Sequence, residues 1–322
     1  MKKARNGQQA TLVVHSQPTN LFRNMETSPA IVQFETICGC NANCTFCSYG
    51  QMTRPKGLMD YELIEGIIRQ AERAESLIPF LIGEPFLDQR MRDILALCKK
   101  THPSAATILY SNMALCDAKT AEWLVHDQTL DRLCPSFYGP TPEIYRALQP
   151  PLDFHQVRQN IIHLLRLRQA MGKRRPRVEM QYILMDKTAG LLDQFKKYWS
   201  VIADGVAVVN HDTWHGLKAD QSPAGFRRYP PGPIPCSRLW DSFNVHYDGT
   251  VVACCIDLEE EEVIGRMPRQ TLKEVWHGKP LQRLRSLHLA GRQNEIPLCR
   301  NCTSWSSNPS WWINFWTQAL YG

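Results

Sequence analysis

The 322-residue chain has no apolar run approaching the roughly 18 residues that a membrane span needs. Its opening, Met1-Lys2-Lys3-Ala4-Arg5-Asn6-Gly7-Gln8-Gln9, is charged and polar with no apolar stretch behind it, so no secretory signal is read there. Both absences lead us to expect a soluble, cytoplasmic protein with no membrane partner. The net charge of +6 is modest and has no concentrated basic stripe, so nucleic acid is not an expected partner. No internal repeat is found. The basic run Lys173-Arg174-Arg175-Pro176-Arg177 and the acidic run Glu259 to Glu262 read as solvated loops, with phosphate or nucleic-acid contact the sharper alternative for the first. An apolar fraction of 43% is enough for a buried core and argues against disorder.

Cysteine, by contrast, is abundant: there are twelve. In a reducing compartment clustered cysteines point to metal rather than to disulfides. Cys98, Cys116 and Cys134 have no ligand spacing and read as small buried apolar residues. Cys40, Cys44 and Cys47 crowd one short loop, with three and then two residues between them, and Cys38 just precedes them. Three thiolates on so tight a loop can face one metal centre and leave a coordination position open. The bland alternative is a structural zinc site closed by a distant fourth ligand such as Cys38.

Elsewhere the pattern alternates between strand and helix about six times. Ile31 to Thr36 reads as a strand that enters the cysteine loop. Asp60 caps a helix running to about Glu75, followed by an apolar run Leu77 to Ile82 and a helix Gln89 to Lys100. Then come strand Ala106 to Tyr110, helix Ala118 to His126, strand Leu130 to Phe137, and helices Pro142 to Leu148 and Phe154 to Met171. Strand Val178 to Met185, helix Leu191 to Ser200 and strand Gly205 to Val209 complete the alternation. This predicts a parallel sheet with crossover helices, and residue content alone leaves a partial α/β barrel and a doubly wound open sheet both possible.

After Asn210 the composition changes. Trp214 to Pro235 is rich in proline and glycine and reads as a linker. Asp248-Gly249 between Ser242 to Tyr247 and Thr250 to Cys254 is a hairpin signal, followed by helices over Leu272 to His277 and on to about Leu289. Twelve residues separate Cys236 from Gly249 and four separate Gly249 from Cys254; Cys299 and Cys302 follow with two between them. The hairpin and the distant pair can close a four-thiolate site, for zinc or for an iron–sulfur cluster. Cys255 is left over; strand alternation would turn it away from Cys254, as buried filler or as a residue facing substrate.

The three-cysteine loop after a first strand resembles the signature of the radical S-adenosylmethionine (SAM) enzymes. Ile82-Gly83-Glu84-Pro85 looks like that family's Gly-Gly-Glu-Pro element, with Ile82 in place of the first glycine. The last third resembles the family's SPASM or twitch extension, and its four cysteines fit the twitch version with one cluster better than the seven-cysteine SPASM pattern. The resemblance implies a partial (β/α)6 TIM-like barrel with a small C-terminal α+β extension of a β-hairpin plus helix. It implies Cys40, Cys44 and Cys47 as ligands of a 4Fe–4S cluster whose open iron takes S-adenosylmethionine. Gly83, Glu84, Pro85, Ser111, Asn112 and Ser136 would contact that cofactor, and Cys236, Cys254, Cys299 and Cys302 would hold an auxiliary 4Fe–4S cluster. Expected boundaries are a polar segment 1–28, a barrel 29–213, a linker 214–235, an auxiliary-cluster domain 236–305 and an aromatic tail 306–322.

The implied activity is reductive cleavage of S-adenosylmethionine to a 5′-deoxyadenosyl radical that takes hydrogen from substrate. A small polar molecule of aminoglycoside, cyclitol or sugar type is the expected substrate, since the cysteine spacing looks like that of twitch-type inosamine dehydrogenases. The outcome would be oxidation or, with Cys255 as hydrogen-atom donor, epimerisation. Modification of a ribosomal peptide is the runner-up; the 28 polar residues at the start are too few for a leader-recognition domain. A non-catalytic iron–sulfur or zinc protein is the third reading. An external one-electron reductant of flavodoxin or ferredoxin type is the expected partner, and no oligomeric state is assigned. Tyr138, Glu179, Gln181, Tyr182, His211, Trp214 and Arg238 are candidate substrate contacts. Trp305, Trp311, Trp312, Phe315 and Trp316 read as packing over the barrel mouth, with a pocket wall, a cluster cover or a dimer patch as alternatives.

Overall fold

The computed structural model describes residues 27–223 and 234–303. The aromatic tail from Trp305 onward, residues 1–26 and residues 224–233 lie outside the described residues. Among those described, no helix is long and apolar enough to cross a membrane.

Nine strands form one open sheet in the order β6-β5-β4-β3-β2-β1-β7-β8-β9. β1 (Ile31–Phe34), β2 (Ser76–Ile78), β3 (Ala106–Ser111), β4 (Arg132–Pro135), β5 (Arg177–Leu184) and β6 (Gly205–Asn210) pair in parallel, each with its successor. This is the expected six-stranded partial barrel. β7 (Ser242–Val245) lies parallel to β1 on its other side, β8 (Thr250–Val252) adds antiparallel to β7, and β9 (Val263–Arg266) adds antiparallel to β8. The C-terminal segment therefore extends the barrel's own sheet.

Local chemistry sets the helix starts. Asp60, Asp117 and Asp153 accept from the backbone N–H of Glu62, Thr120 and Gln156 at the heads of helices Tyr61–Gln70, Ala118–Asp127 and Phe154–Ala170. Thr271 and Glu274 form a reciprocal capping box at helix Leu272–Trp276. The first helix stops at Gln70, short of Glu75, because the chain must turn back into the sheet: Glu75 N–H bonds the Ala30 carbonyl at 2.8 Å. β2 is also shorter than the apolar run 77–82. Pro79 follows its last residue and cannot donate to a ladder. The released residues 80–83 then reach the mouth of the barrel. β9 was not anticipated; it is four residues long and carries little pattern.

One hydrophobic core spans the join. Val32 and Phe34 of β1, Ile64 and Ile67 of the first helix, Phe243 and Val245 of β7, and Trp276 and Leu284 of the later helices pack in a single cluster. Burying each such side chain contributes about 1.5–3 kcal/mol. The acidic run also differs from the expected free loop. Glu259 accepts from Thr53 N and Oγ1 at 2.6 and 2.7 Å, Glu260 pairs with His246 at 3.1 Å, and Glu262 pairs with Arg283 at 3.5 Å. It fastens the chain just after the three-cysteine loop to the C-terminal segment.

Beside it lies a buried ion pair. Glu35, fully buried at the end of β1, accepts from Arg54 Nη2 at 2.6 Å and from Tyr247 N at 3.1 Å, while Arg54 Nε donates to the Leu258 carbonyl at 2.8 Å. Removing one charge strands the other away from water. Glu35→Ala is expected to lower stability by about 3–5 kcal/mol, and the double change Glu35→Leu/Arg54→Met by less than either single change. Urea unfolding midpoints of Glu35→Ala, of the double variant and of its two single variants check both expectations.

Candidate active site

The loop that follows β1 is tied down at four places. Asn43 N–H bonds the Pro150 carbonyl at 2.6 Å and Thr45 N–H that of Leu148 at 2.9 Å. Asn41 Oδ1 accepts from Asn112 Nδ2 at 2.7 Å, which links the loop to the end of β3. At its base Gly39 O accepts from Glu84 N at 2.7 Å. Gly83 makes that last contact possible: its φ is +97°, and a Cβ there would lie 2.2 Å from the Gly39 oxygen.

These contacts bring the predicted residues to one cavity. Its walls include Cys40, Cys44, Cys47, Gly83, Ser111, Asn112 and Ser136, closed at the sides by aromatic residues among which are Tyr138 and Trp214. Glu84 and Pro85 are not among its wall residues. Pro85 opens a short 3-10 turn, Pro85–Leu87, and Glu84 is fully buried beneath. Its carboxylate accepts from Phe86 N at 3.1 Å, Ser111 Oγ at 2.8 Å and Asn112 N at 2.7 Å. Glu84 thus orients the two residues that do face the cavity. Burial pushes its carboxyl up to about 7, against the pull of the three donors.

The remaining candidates divide. Gln181 bridges to Ser136, and Glu179 pairs with Arg132 at 3.5 Å, both from adjacent strands. Tyr182 is a core residue: its hydroxyl donates to the Thr188 carbonyl at 2.5 Å and its ring packs on Phe195. His211 is buried, with Nδ1 3.9 Å from Asp220 Oδ1. Gln149 gave no signal in the sequence, yet it donates to Ser136 O, accepts from Tyr138 N and lines the cavity beside Cys44.

A second cavity is lined by Cys236, Cys254, Cys299 and Cys302 together with His215, Arg238, His288 and apolar walls from Leu239, Leu284, Ile296 and Leu298. Cys255 lines neither cavity. Cys254 and Cys255 lie past the end of β8, in a turn, so strand alternation does not separate them. The Cys254 thiol instead hydrogen-bonds Cys255, whose sulfur also accepts from Arg238 Nη1 at 2.7 Å. Those contacts hold the Cys255 thiol below its ordinary range, the Cys254 bond most and the guanidinium next.

Both thiol sets fit the clusters that the resemblance implies. Burial pushes Cys40 up to about 11 and Cys236 up to about 12, and raises Cys44, Cys47, Cys254 and Cys299 as well, Cys254 chiefly through its hydrogen bond to Cys255. Such thiols lose their protons readily only to a metal. Ala42 N and Tyr49 N donate to Cys40 and Cys47 sulfur, each at 3.4 Å, as donors around iron–sulfur ligands do. Among the described residues no three His, Cys, Asp or Glu side chains converge on a single ion. In a 4Fe–4S cluster each cysteine sulfur meets a different iron, so the ligands need not converge on one atom.

Comparison with known proteins agrees with this geometry. Residues 34–171 match the radical SAM superfamily, and residues 236–303 match the iron–sulfur cluster-binding domain SPASM. No match was found among curated proteins. Among solved structures, BtrN in complex with AdoMet and 2-DOIA aligns with a TM-score of 0.57 at 17% identity, over 85% of this chain and 92% of that one. Streptococcus suis SuiB bound to precursor peptide SuiA aligns at 0.63 and 14% identity, over 87% and 73%. anSMEcpe with bound AdoMet aligns at 0.62 and 18% identity, over 85% of each chain. At these identities the likeness establishes the fold.

Two substitutions probe the cavity floor. Gly83→Ala is expected to lose about 1–3 kcal/mol from its backbone conformation alone and, through the Gly39 contact, to release the loop; thermal unfolding and iron content measure the two effects. Glu84 bears on pH. Its folded value exceeds the unfolded 4.5, so its stabilisation is complete below that pH and is lost as pH rises through about 7. The urea midpoint of the wild type is expected to fall more steeply from about pH 5 to about pH 8 than that of Glu84→Gln.

Proposed function

Since the chain belongs to the radical SAM superfamily and carries a SPASM-type iron–sulfur domain, we propose that it oxidises a small polar substrate of cyclitol, aminoglycoside or sugar type. Its cofactors are S-adenosylmethionine and iron–sulfur clusters. Cys40, Cys44 and Cys47 would hold the 4Fe–4S cluster of the first cavity, and Cys236, Cys254, Cys299 and Cys302 the auxiliary cluster of the second. When bound, these groups supply the electron that cleaves S-adenosylmethionine to a 5′-deoxyadenosyl radical and a site that takes up an electron.

The chain's own residues define the rest. Gly83, Ser111, Asn112 and Ser136 seat S-adenosylmethionine at the strand ends, where such folds bind ligands. Ser111 and Asn112 are held in register by Glu84. Phe80, Tyr110, Tyr138 and Trp214 wall the cavity and keep water from the reacting carbon. Arg132 and Glu179, paired at 3.5 Å on β4 and β5, together with Gln181, offer polar contacts for substrate hydroxyl or amino groups. A flavodoxin- or ferredoxin-type donor would supply the external electron.

Oxidation is preferred to epimerisation on one observation: Cys255, the candidate hydrogen-atom donor, lines neither cavity and is held by Arg238. A small substrate is favoured by the cysteine spacing; BtrN with 2-DOIA aligns over 92% of its length and anSMEcpe with a bound peptide over 89%. The peptide reading keeps one observation of its own. β6 ends the sheet among the described residues, with Val208 exposed on it, and an extended peptide can add to such an edge.

The test is anaerobic reconstitution with iron and sulfide, then dithionite, S-adenosylmethionine and a panel of cyclitols and aminoglycosides in deuterated water. The expected result is 5′-deoxyadenosine together with a product two hydrogens lighter and free of carbon-bound deuterium. A product of unchanged formula carrying one solvent deuterium would establish epimerisation instead. Turnover only with peptides would select the second reading, and no 5′-deoxyadenosine under any condition would point to a non-catalytic protein. Cys255→Ala is expected to keep its oxidised product.

A further inference from the structure

The short stretch 212–216, which straddles the expected end of the barrel at 213 and start of the linker at 214, is in contact with both cavities. The Trp214 ring lines the three-cysteine cavity, and its Nε1–H donates to the Phe46 carbonyl at 2.9 Å, between Cys44 and Cys47. The next residue, His215, lines the four-cysteine cavity. Its Nε2–H donates at 2.6 Å to the carbonyl of Ile256, just past Cys254 and Cys255. Thr213 bonds Thr303 Oγ1 through its backbone N–H at 3.2 Å and its hydroxyl at 2.9 Å. Gly216 packs against Asn301, between Cys299 and Cys302, where a Cβ would meet the asparagine at 3.3 Å. Two adjacent side chains thus reach from one peptide into two ligand loops.

The backbone shows that these side chains are wanted. Trp214 and His215 have φ of +50° and +60°, a left-handed conformation that costs an L-residue roughly 1–2 kcal/mol each. Glycine would make the same turn without that cost, and glycine does follow, at position 216. Asp212 Oδ1 helps to hold the turn by accepting from Trp214 N at 2.7 Å. Strain kept where a glycine would relieve it marks a position chosen for its side chain.

We propose that Trp214 and His215 are positioning residues, a strut through which the four-cysteine pocket sets the geometry of the three-cysteine loop. The inference rests on the assignment of the two cysteine sets to clusters, but not on the identity of the substrate. Trp214 fixes the loop carbonyl at Phe46; His215 fixes the turn that carries Cys254. A shift of either turn is passed through the stiff left-handed dipeptide to the other.

Trp214→Phe keeps an aromatic wall and removes only the N–H donor. His215→Gly removes the imidazole and relaxes the backbone, so it folds at least as readily. Both are expected to retain wild-type iron content and melting temperature. S-adenosylmethionine affinity by equilibrium dialysis should weaken about three- to tenfold, the loss of one hydrogen bond. The electron paramagnetic resonance spectrum of the reduced three-cysteine cluster with S-adenosylmethionine should shift in both variants, although His215 does not line that cavity. Cys302→Ala should weaken S-adenosylmethionine binding in the wild-type background and add nothing further in His215→Gly. A His215→Gly protein with wild-type affinity and spectrum, or additive effects with Cys302→Ala, would overturn the proposal. A wild-type protein that binds S-adenosylmethionine but oxidises no polyol would sink the functional reading and leave the strut standing.

Discussion

A close approach between two stretches of bare backbone underlies the radical-site region. The Gly39 carbonyl lies where any side chain on residue 83 would be, and it accepts the Glu84 N–H from the same segment. The cysteine loop begins one residue after Gly39, so its starting direction is set by this contact. Glu84, placed by it, turns its carboxylate inward and aligns the Ser111 hydroxyl and the Asn112 amide. Asn112 then reaches back to Asn41. The result is a closed circuit: loop base, second-strand exit, third-strand end and loop again. A ligand bound at the strand ends meets groups whose positions are mutually determined, which is preorganisation in a literal sense.

The two ligand pockets share an electrostatic condition. Cys40, Cys44 and Cys47 of the first and Cys236 and Cys299 of the second are half-buried, and desolvation holds each thiol above its ordinary range. Such a protein is least comfortable when its cysteines are ionised without metal, and metal binding is thereby coupled to folding. The neighbouring Arg238, in contact with Cys255, brings a positive charge to the edge of the second pocket. Outer groups of this kind influence the potential of a bound cluster as much as the ligands do.

What could be read from the sequence was what depends on near neighbours. The Cys40, Cys44 and Cys47 spacing, the Asp60 cap and the Asp248-Gly249 turn each encode their geometry within a few residues. The six parallel strands followed from alternation and from connection rules that leave few topologies. What was missed depends on distant partners. Glu259 looked like solvated charge because its acceptor role is defined by Thr53, about 200 residues away. The partnership of the Glu84 carboxylate with Ser111 and Asn112 shows only in the fold, because nothing local announces it. Tyr182 and Glu179 stand three apart on one strand and so face opposite ways, and periodicity alone does not say which face is the lumen. His215 sat in a stretch whose glycines and prolines read as slack, and its reach to Ile256 shows only in three dimensions.

The placement of β1 between β2 and β7 has a consequence for how the chain is made. β1 has one edge that stays open until residues 242–245 emerge, some two hundred positions later. Through that interval the nascent barrel presents an unpaired parallel edge and half of a hydrophobic core, the condition in which strands mispair and aggregate. The same late segment brings Cys254 and the pair Cys299 and Cys302. Completion of the sheet and assembly of the second ligand set therefore depend on the same stretch of chain, made well after the three-cysteine loop. A ribosome-bound fragment ending before β7 would carry the three-cysteine loop on a sheet not yet closed at its first strand.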